Sequence, residues 1–391
     1  MKSLIDPCLL ILTQQGAVVC VLVLYVDDLV CAGKREICTS VMQNLAERYP
    51  MGQMENSWEL NTISYTGMDI LFERDTNGNL SKVILNQEAY VKNKFPDAIK
   101  ELENVLTGTK ATAQDLLNPK QADAFRSGNG KLAWAGNTRP QAAYDISELA
   151  SAAKAPTAGD ARKLLKILRS VLEKAADGIT LKRLDPARLG VIGFGDASFA
   201  NRGERTQGGF IVLLTEGSDS QSVTETNVHV NESNGFATSN VAMFRSTKIG
   251  RVCVGTFCAE TIEAVETSDA TICVSYLVSE LKHGRLPSIA ERALTRGFGL
   301  FGGDGGTPPP QVWTEVVCDG NGTVTAVHST KPVSNKRRRI DIALIRELVD
   351  QGFLKFRHCS TELQLADGLT KRMCNDPLRT AAVESKVRIR A

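Results

Sequence analysis

The sequence predicts an α/β protein in two parts, a small α+β unit over residues 1–95 and a larger mixed-sheet unit over 188–375. Three observations carry this. Residues 191–214 (VIGFGDASFANRGERTQGGFIVLL) read as two apolar strands folded back on each other through a loop rich in Gly, Arg and Asn at 201–207. Downstream, CAETIEAVETSDATICVSYLVSEL places Ile262, Val265, Ile272, Tyr276 and Leu277 at roughly helical spacing, and the strand VWTEVVCDG follows it. Upstream, the β-rich runs 9–12 and 18–24 flank Gln15-Gly16 as a hairpin would.

Composition sets loose bounds. A chain of 391 residues with 42% hydrophobic content can bury a core and suggests two or three domains. Its formal net charge is +2, so nucleic-acid binding must come from local basic patches. The ten cysteines include no Cys-x-x-Cys pair, and there are four histidines, which argues against zinc and for reduced thiols in an intracellular protein of the cytoplasm or nucleus. Gln14, Gln15 and Gly16 interrupt the N-terminal apolar runs and Asp27-Asp28 end them, so neither is long enough to span a bilayer. The N-terminus shows no signal peptide with a small-residue cleavage site.

Taken in order, the first hairpin runs into Tyr25-Val26-Asp27-Asp28. Paired aspartates after a buried strand suit Mg²⁺ in polymerase chemistry, although an isolated Asp-Asp turn is ordinarily a solvated loop. Residues 36–49, with Ile37, Val41 and Leu45, read as an amphipathic helix, and Gly67-Met68-Asp69-Ile70 as a strand. Residues 97–130 are polar, with helical fragments and no motif, and read as a loop or a degraded thumb. LAWAGNTRP (132–140) and AAYDISELAS (142–151) read as structural, followed by a helix over 160–175 with Leu164, Leu165, Ile167, Leu168 and Leu172 on one face.

In the larger unit, Asp196 ends the first strand of the 191–214 hairpin, Glu260 lies on the helix, Asp319 ends VWTEVVCDG, and Asp367 sits in LQLADGLTKRM. Four acids of this kind suit a pair of Mg²⁺ (or Mn²⁺) ions, which want hard oxygen ligands and lie about 3.5 to 4 Å apart in two-metal hydrolases. Glu263 and Glu266 compete with Glu260, and Asp341 with Asp367. The stretches 215–242 and 286–310 read as polar insertions, the second rich in Gly and Pro. Lys336, Arg337, Arg338 and Arg339 precede an apolar helical face of Ile340, Ile342, Leu344, Ile345 and Leu348. Cations at a helix start oppose its dipole, so contact with phosphates is the functional reading, beside a solvated helix start or a localisation signal.

These residues, in this order, resemble the C-terminal part of copia-type LTR retrotransposon Pol polyproteins. The ribonuclease H resemblance rests on Asp196-Ala197, Gly209-Phe210, FRSTK at 244–248, Ala259-Glu260, Cys318-Asp319 and ADGLTK at 366–371. The reverse transcriptase resemblance rests on DPC at 6–8, YVDDLVCAG at 25–33, GMDI at 67–70 and LNQEAYV at 85–91. Phe244 replaces the family's usual Trp, and Arg338-Arg339 its common Lys-His. The resemblance implies a partial reverse transcriptase palm at 1–95, a thumb- or connection-like region at 96–187, a ribonuclease H-like mixed five-stranded sheet with flanking helices at 188–375, and a tail at 376–391. It implies that Asp196, Glu260, Asp319 and Asp367 are catalytic and hold Mg²⁺ or Mn²⁺, that Asp27 and Asp28 are palm metal ligands, and that the partner is an RNA/DNA hybrid. Lys248, Lys336, Arg337, Arg338, Arg339 and Lys371 are the expected nucleic-acid contacts. In such polyproteins a third palm aspartate, the fingers, the integrase and the protease precede the point matching Met1, which implies a C-terminal remnant. An inactive relic that keeps the fold is the alternative.

Overall fold

The N-terminal runs pair as a hairpin. β1 (Leu9–Gln14) and β2 (Ala17–Tyr25) close through Gln15 and Gly16, whose φ values of 51° and 80° give the primed turn that matches strand twist. β3 (Asp28–Gly33) adds antiparallel to β2, and α1 (Arg35–Ala46) packs on this sheet, burying Cys38. A second sheet begins with the meander β4 (Thr62–Tyr65), β5 (Met68–Arg74) and β6 (Leu80–Asn86). The computed structural model describes residues 1–107, 111–202, 205–217, 235–288, 312–372 and 375–389.

Residues 97–130, expected as a loop or a degraded thumb, instead lie mainly in two helices of a helical layer. α2 (Glu88–Leu106), α3 (Pro119–Ala135), α4 (Ala143–Ala152) and α5 (Ala158–Glu173) share a core of Phe95, Leu102, Phe125, Leu132, Leu149, Leu164 and Leu168. The physical reason is a narrow stripe. Val91, Phe95, Ala98 and Leu102 fall on one face of α2, while the other positions are polar and Pro96 interrupts the pattern. Asn118 and Thr157 each start their helix with a reciprocal capping box. Arg139, 1% exposed, stitches the layer from inside: its guanidinium donates to the Ala135 and Ala175 carbonyls at 3.0 and 2.7 Å. Leu102→Ala is expected to cost roughly 2–5 kcal/mol, read from urea unfolding, because a fully buried leucine leaves both a transfer loss and a cavity.

β7 (Gly178–Lys182) then returns to pair with β6, so the second sheet is completed across the helical layer. Asn240 locks β7 to the third sheet: its side chain accepts from the Lys182 amide and donates to the Lys182 carbonyl, both at 2.8 Å.

The third sheet is ribonuclease H-like. β8 (Leu189–Arg202), β9 (Arg205–Glu216) and β10 (Phe236–Lys248) form an antiparallel meander. After α6 (Thr256–His283), β11 (Trp313–Cys318) lies parallel to β8 on the side away from β9. α7 (Asn321–His328) and α8 (Arg338–Asp350) lead to β12 (Lys355–His358), parallel to β11. These are the five expected strands in a mixed sheet, and a sixth extends the β10 edge. α9 (Asp367–Thr370) and α10 (Asp376–Arg379) come before that last strand, β13 (Lys386–Arg388), so most of the stretch expected as a tail is folded. The insertion expected at 215–242 contributes its end to β10, and its positions 218–234 lie outside the described residues, as do 289–310 of the second insertion.

The two faces of β8 decide where the helices go. Val191, Phe210 and Val212 pack on Ala270, Val274 and Val278 of α6. Phe194, Ile211 and Leu213 pack on Leu365, Leu369 and Leu378. α6 seats closely because Gly195 faces it: a Cβ there would stand 2.1 Å from Thr267 Oγ1. Among the described residues no helix is long and apolar enough to cross a membrane.

Candidate active site

Asp196 was expected to end a strand, but β8 runs on to Arg202 and Asp196 stays paired with Gly209 of β9. The neighbour ends instead. β11 stops at Cys318, its last partner pair with β8 being Val317 and Phe194, so the sheet opens on that side of Asp196. Asp319 follows at the opening. The opening lies beyond the carboxyl end of β11 and beside the continuing β8.

Asp367 is brought to the same opening by the turn Thr361–Leu363 and by Gln364, whose amide donates to the Gly195 carbonyl at 3.1 Å. One carboxylate oxygen from each of Asp196, Asp319 and Asp367 lies within 4.8 Å of the other two. A set made only of carboxylate oxygens is what a hard divalent cation requires.

Glu260 stands beside this trio rather than in it. Half-buried at the start of α6, it accepts from Thr323 Oγ1 at 3.4 Å. A Cβ on Gly320 would come within 2.3 Å of Glu260 Oε2, so the residue after Asp319 has to be small for the two acids to approach. Burial, and then the nearby Asp319 charge, raise the Glu260 carboxyl above its usual range. One turn on, Glu263 is turned into the protein and stands 3.8 Å from Arg245, and Glu266 pairs with the same arginine at 3.1 Å. Glu260 is therefore the helix acid that faces Asp319.

Short polar side chains hold the acids in place, and sequence reading had passed them over. Thr370 Oγ1 donates to Asp196 Oδ2, and Thr361 Oγ1 donates to Asp319 Oδ2 at 3.1 Å. Thr370 sits one turn after Asp367 in ADGLTK, and that spacing was the available signal. Lys371 Nζ donates to Asp367 Oδ1 at 2.6 Å and lies 3.5 Å from Asp196 Oδ2. Burial works against the Lys371 ammonium, but Asp196 and Asp367 hold its pKa above the usual range. Burial pushes the Asp367 carboxyl up to about 6, Asp196 adds to this, and the Lys371 hydrogen bond opposes it.

The expected cations separate into two groups. Lys248, Lys336, Arg337 and Arg339 are exposed. Lys336 and Arg337 line a hollow of about 340 Å³ with Val252, Val254 and Cys258, the last of them two residues before Glu260. Arg338 is a correction: it is buried and ion-paired with Asp341 at 2.5 Å, so it cannot reach a phosphate and Asp341 is removed from the acid cluster. The reason is helical phase, since Arg338 opens α8 on the side that carries Ile342 and Ile345 into the core. Lys371 likewise faces the acids.

Asp27 and Asp28 are exposed at the β2–β3 tip, where Val26 takes a left-handed φ of 53°. Asp28 Oδ2 accepts from the Thr66 amide at 3.1 Å. Among the described residues neither joins a group of three metal-binding side chains.

No family model matches the chain, and no curated protein matches it. Among solved structures, it is similar to RNase H1 from the halophilic archaeon Halobacterium salinarum NRC-1, at 14% identity over 46% of this chain and 92% of that one, with a TM-score of 0.26. It is similar to the N-terminal RNase H domain of a Mycobacterium tuberculosis protein, at 14% identity over 50% and 99%, with a TM-score of 0.26. A third likeness is to LC11-RNase H1 isolated from compost by a metagenomic approach, at 16% identity over 48% and 98%, with a TM-score of 0.27. At these scores the assignment of the fold stands on strand order and connectivity.

Proposed function

We propose that this chain is a retrotransposon-derived ribonuclease H that hydrolyses the RNA strand of RNA/DNA hybrids, joined to a reverse transcriptase palm fragment. The observation that carries the proposal is the convergence of Asp196, Asp319 and Asp367 where the sheet opens between β8 and β11. These three, with Glu260 beside them, would hold Mg²⁺ or Mn²⁺. When bound, such ions activate water and stabilise charge on the scissile phosphate.

The chain's own residues then have defined tasks. Thr370 and Thr361 fix the carboxylates of Asp196 and Asp319, so that little reorganisation is left for the reaction. Lys371 offsets the mutual repulsion of Asp196 and Asp367. Glu260, facing Asp319 from the start of α6, is placed to complete the set of carboxylates. Lys248, Lys336, Arg337 and Arg339 supply exposed positive charge for the phosphate backbone.

The test is degradation of labelled RNA in a hybrid with Mg²⁺ or Mn²⁺, beside single-stranded RNA and duplex DNA. Cleavage is expected for the hybrid and is expected to stop with a chelator. No cleavage under any metal would leave the inactive relic.

The palm fragment is expected to show no polymerase activity. Asp27 and Asp28 gather no third ligand among the described residues, and losing one carboxylate removes a metal contact that contributes several kcal/mol. Extension of a DNA primer on an RNA template by the purified protein would contradict this.

A further inference from the structure

Away from the acids, three cysteines that are far apart in the sequence meet beneath α1. Cys20 and Cys31 lie on one face of the β2–β3 ladder, diagonal to each other, because Cys20 pairs with Gly33 and Cys31 with Leu22. Cys38, in the first turns of α1, comes down onto them. Their sulfurs stand 3.3 Å apart for Cys20 and Cys31 and 3.9 Å apart for Cys20 and Cys38, and all three lie within 4.8 Å of one another.

With metal–sulfur bonds of about 2.3 Å, ligands around a trigonal or tetrahedral centre stand roughly 3.8–4.0 Å apart. The Cys20–Cys38 spacing of 3.9 Å is that of two ligands on one ion, and the Cys20–Cys31 pair at 3.3 Å would open by about half an ångström to join them. Among the described residues no histidine or carboxylate joins the group, so its chemistry there is all sulfur. Cys20 and Cys38 are each 3% exposed, while Cys31 is half-buried, so the group is shielded on one side and reachable on the other. The reachable side is a cavity of about 990 Å³ whose mixed wall includes Cys31 and Cys38, the thioethers of Met42 and Met54, and the acids Asp28 and Glu55. Three thiolates select a soft cation over Mg²⁺ or Ca²⁺.

We propose that Cys20, Cys31 and Cys38 form a binding site for one thiophilic d¹⁰ cation, Cu(I) or Zn²⁺, entered from this cavity. The reaction is ligand exchange: each thiol gives its proton to solvent as its sulfur bonds the ion, and no oxidant or reductant takes part. Burial holds the Cys31 and Cys38 thiols above their ordinary pKa, so they stay protonated until an ion displaces the protons. The site is independent of the hydrolase reading. Its spacing in the chain, 11 and 18 residues from Cys20, has none of the short pairs that mark zinc sites, which is why composition argued against one.

The experiment uses the full, reduced chain under anaerobic conditions. It is titrated separately with Cu(I), Zn²⁺ and Mg²⁺ against chromogenic chelators, with alkylation of each cysteine followed by mass spectrometry. One equivalent of Cu(I) or Zn²⁺ should bind and protect the half-buried Cys31, which reacts without metal, while exposed Cys8 stays reactive in both. Cys38→Ser and Cys31→Ser should each weaken binding by more than the roughly 10- to 100-fold that loss of a supporting partner costs. Cys8→Ser should bind as wild type does, and circular dichroism identifies any variant that fails to fold. If one serine variant does not fold, the other and the protection pattern still decide. Binding unchanged in both serine variants would place the ion elsewhere, on the acids for instance, and overturn the site. So would a Cys20–Cys31 disulfide found by mass spectrometry in the metal-free chain, or failure of both ions to bind.

Discussion

Asp196→Asn is expected to lower RNA/DNA hybrid cleavage by roughly a thousandfold or more, since one metal contact contributes several kcal/mol and each 1.36 kcal/mol is a factor of ten. The substitution keeps shape and removes charge. Asn can still accept from Thr370 Oγ1, which now donates to Asp196 Oδ2, so the loss is not one of packing. Folding should survive, and thermal stability should not fall, because one of three crowded carboxylates becomes neutral while Lys371 keeps Asp367 as its closer partner. The assay compares wild type and variant side by side on labelled hybrid, with melting temperature as the control. Cleavage that persists in a folded variant would assign the activity to another site or to a contaminant.

The parts of this site that could be read from sequence are those set by local rules. Asp319 was legible because the apolar run before it is a strand, and Gly320 and Gly322 mark its end. Asp196 was legible as an acid in a hairpin, though its position within a continuing strand was not, because only the departure of β11 opens the sheet beside it. Glu260 could be ranked above Glu263 only by resemblance, since both lie on a helix whose two sides are largely covered. Other features depend on pairings distant in the chain. The union of β6 with β7 spans four helices, β13 finds the β10 edge from the far end of the chain, and the cysteine group depends on a diagonal register. Arg338 shows a further limit. A run of four cations states charge, while helical phase decides which of them turns inward to Asp341.

Glu263→Gln is expected to remove a pH dependence of stability worth about 3 kcal/mol. Glu263 is 2% exposed, and its Oε1 has no hydrogen-bond partner among the described residues. Burial pushes its carboxyl from 4.5 up to about 7; Arg245 opposes this at 3.8 Å, and Glu266 and Asp196 add to it. The sign follows from which state releases the proton first. Below about pH 4.5 the carboxyl is protonated in both states and carries no penalty. Between there and about 7 the unfolded chain ionises while the folded chain does not, so unfolding gains, and above 7 the folded protein holds a buried charge at full cost. A shift of about 2.5 units at 1.36 kcal/mol per unit gives the stated magnitude. Urea unfolding of wild type and Glu263→Gln at several pH values between 5 and 8 should therefore diverge, with the variant gaining on wild type as pH rises. A constant difference across that window would mean that Arg245 already neutralises Glu263 in full, and that this acid is charged throughout.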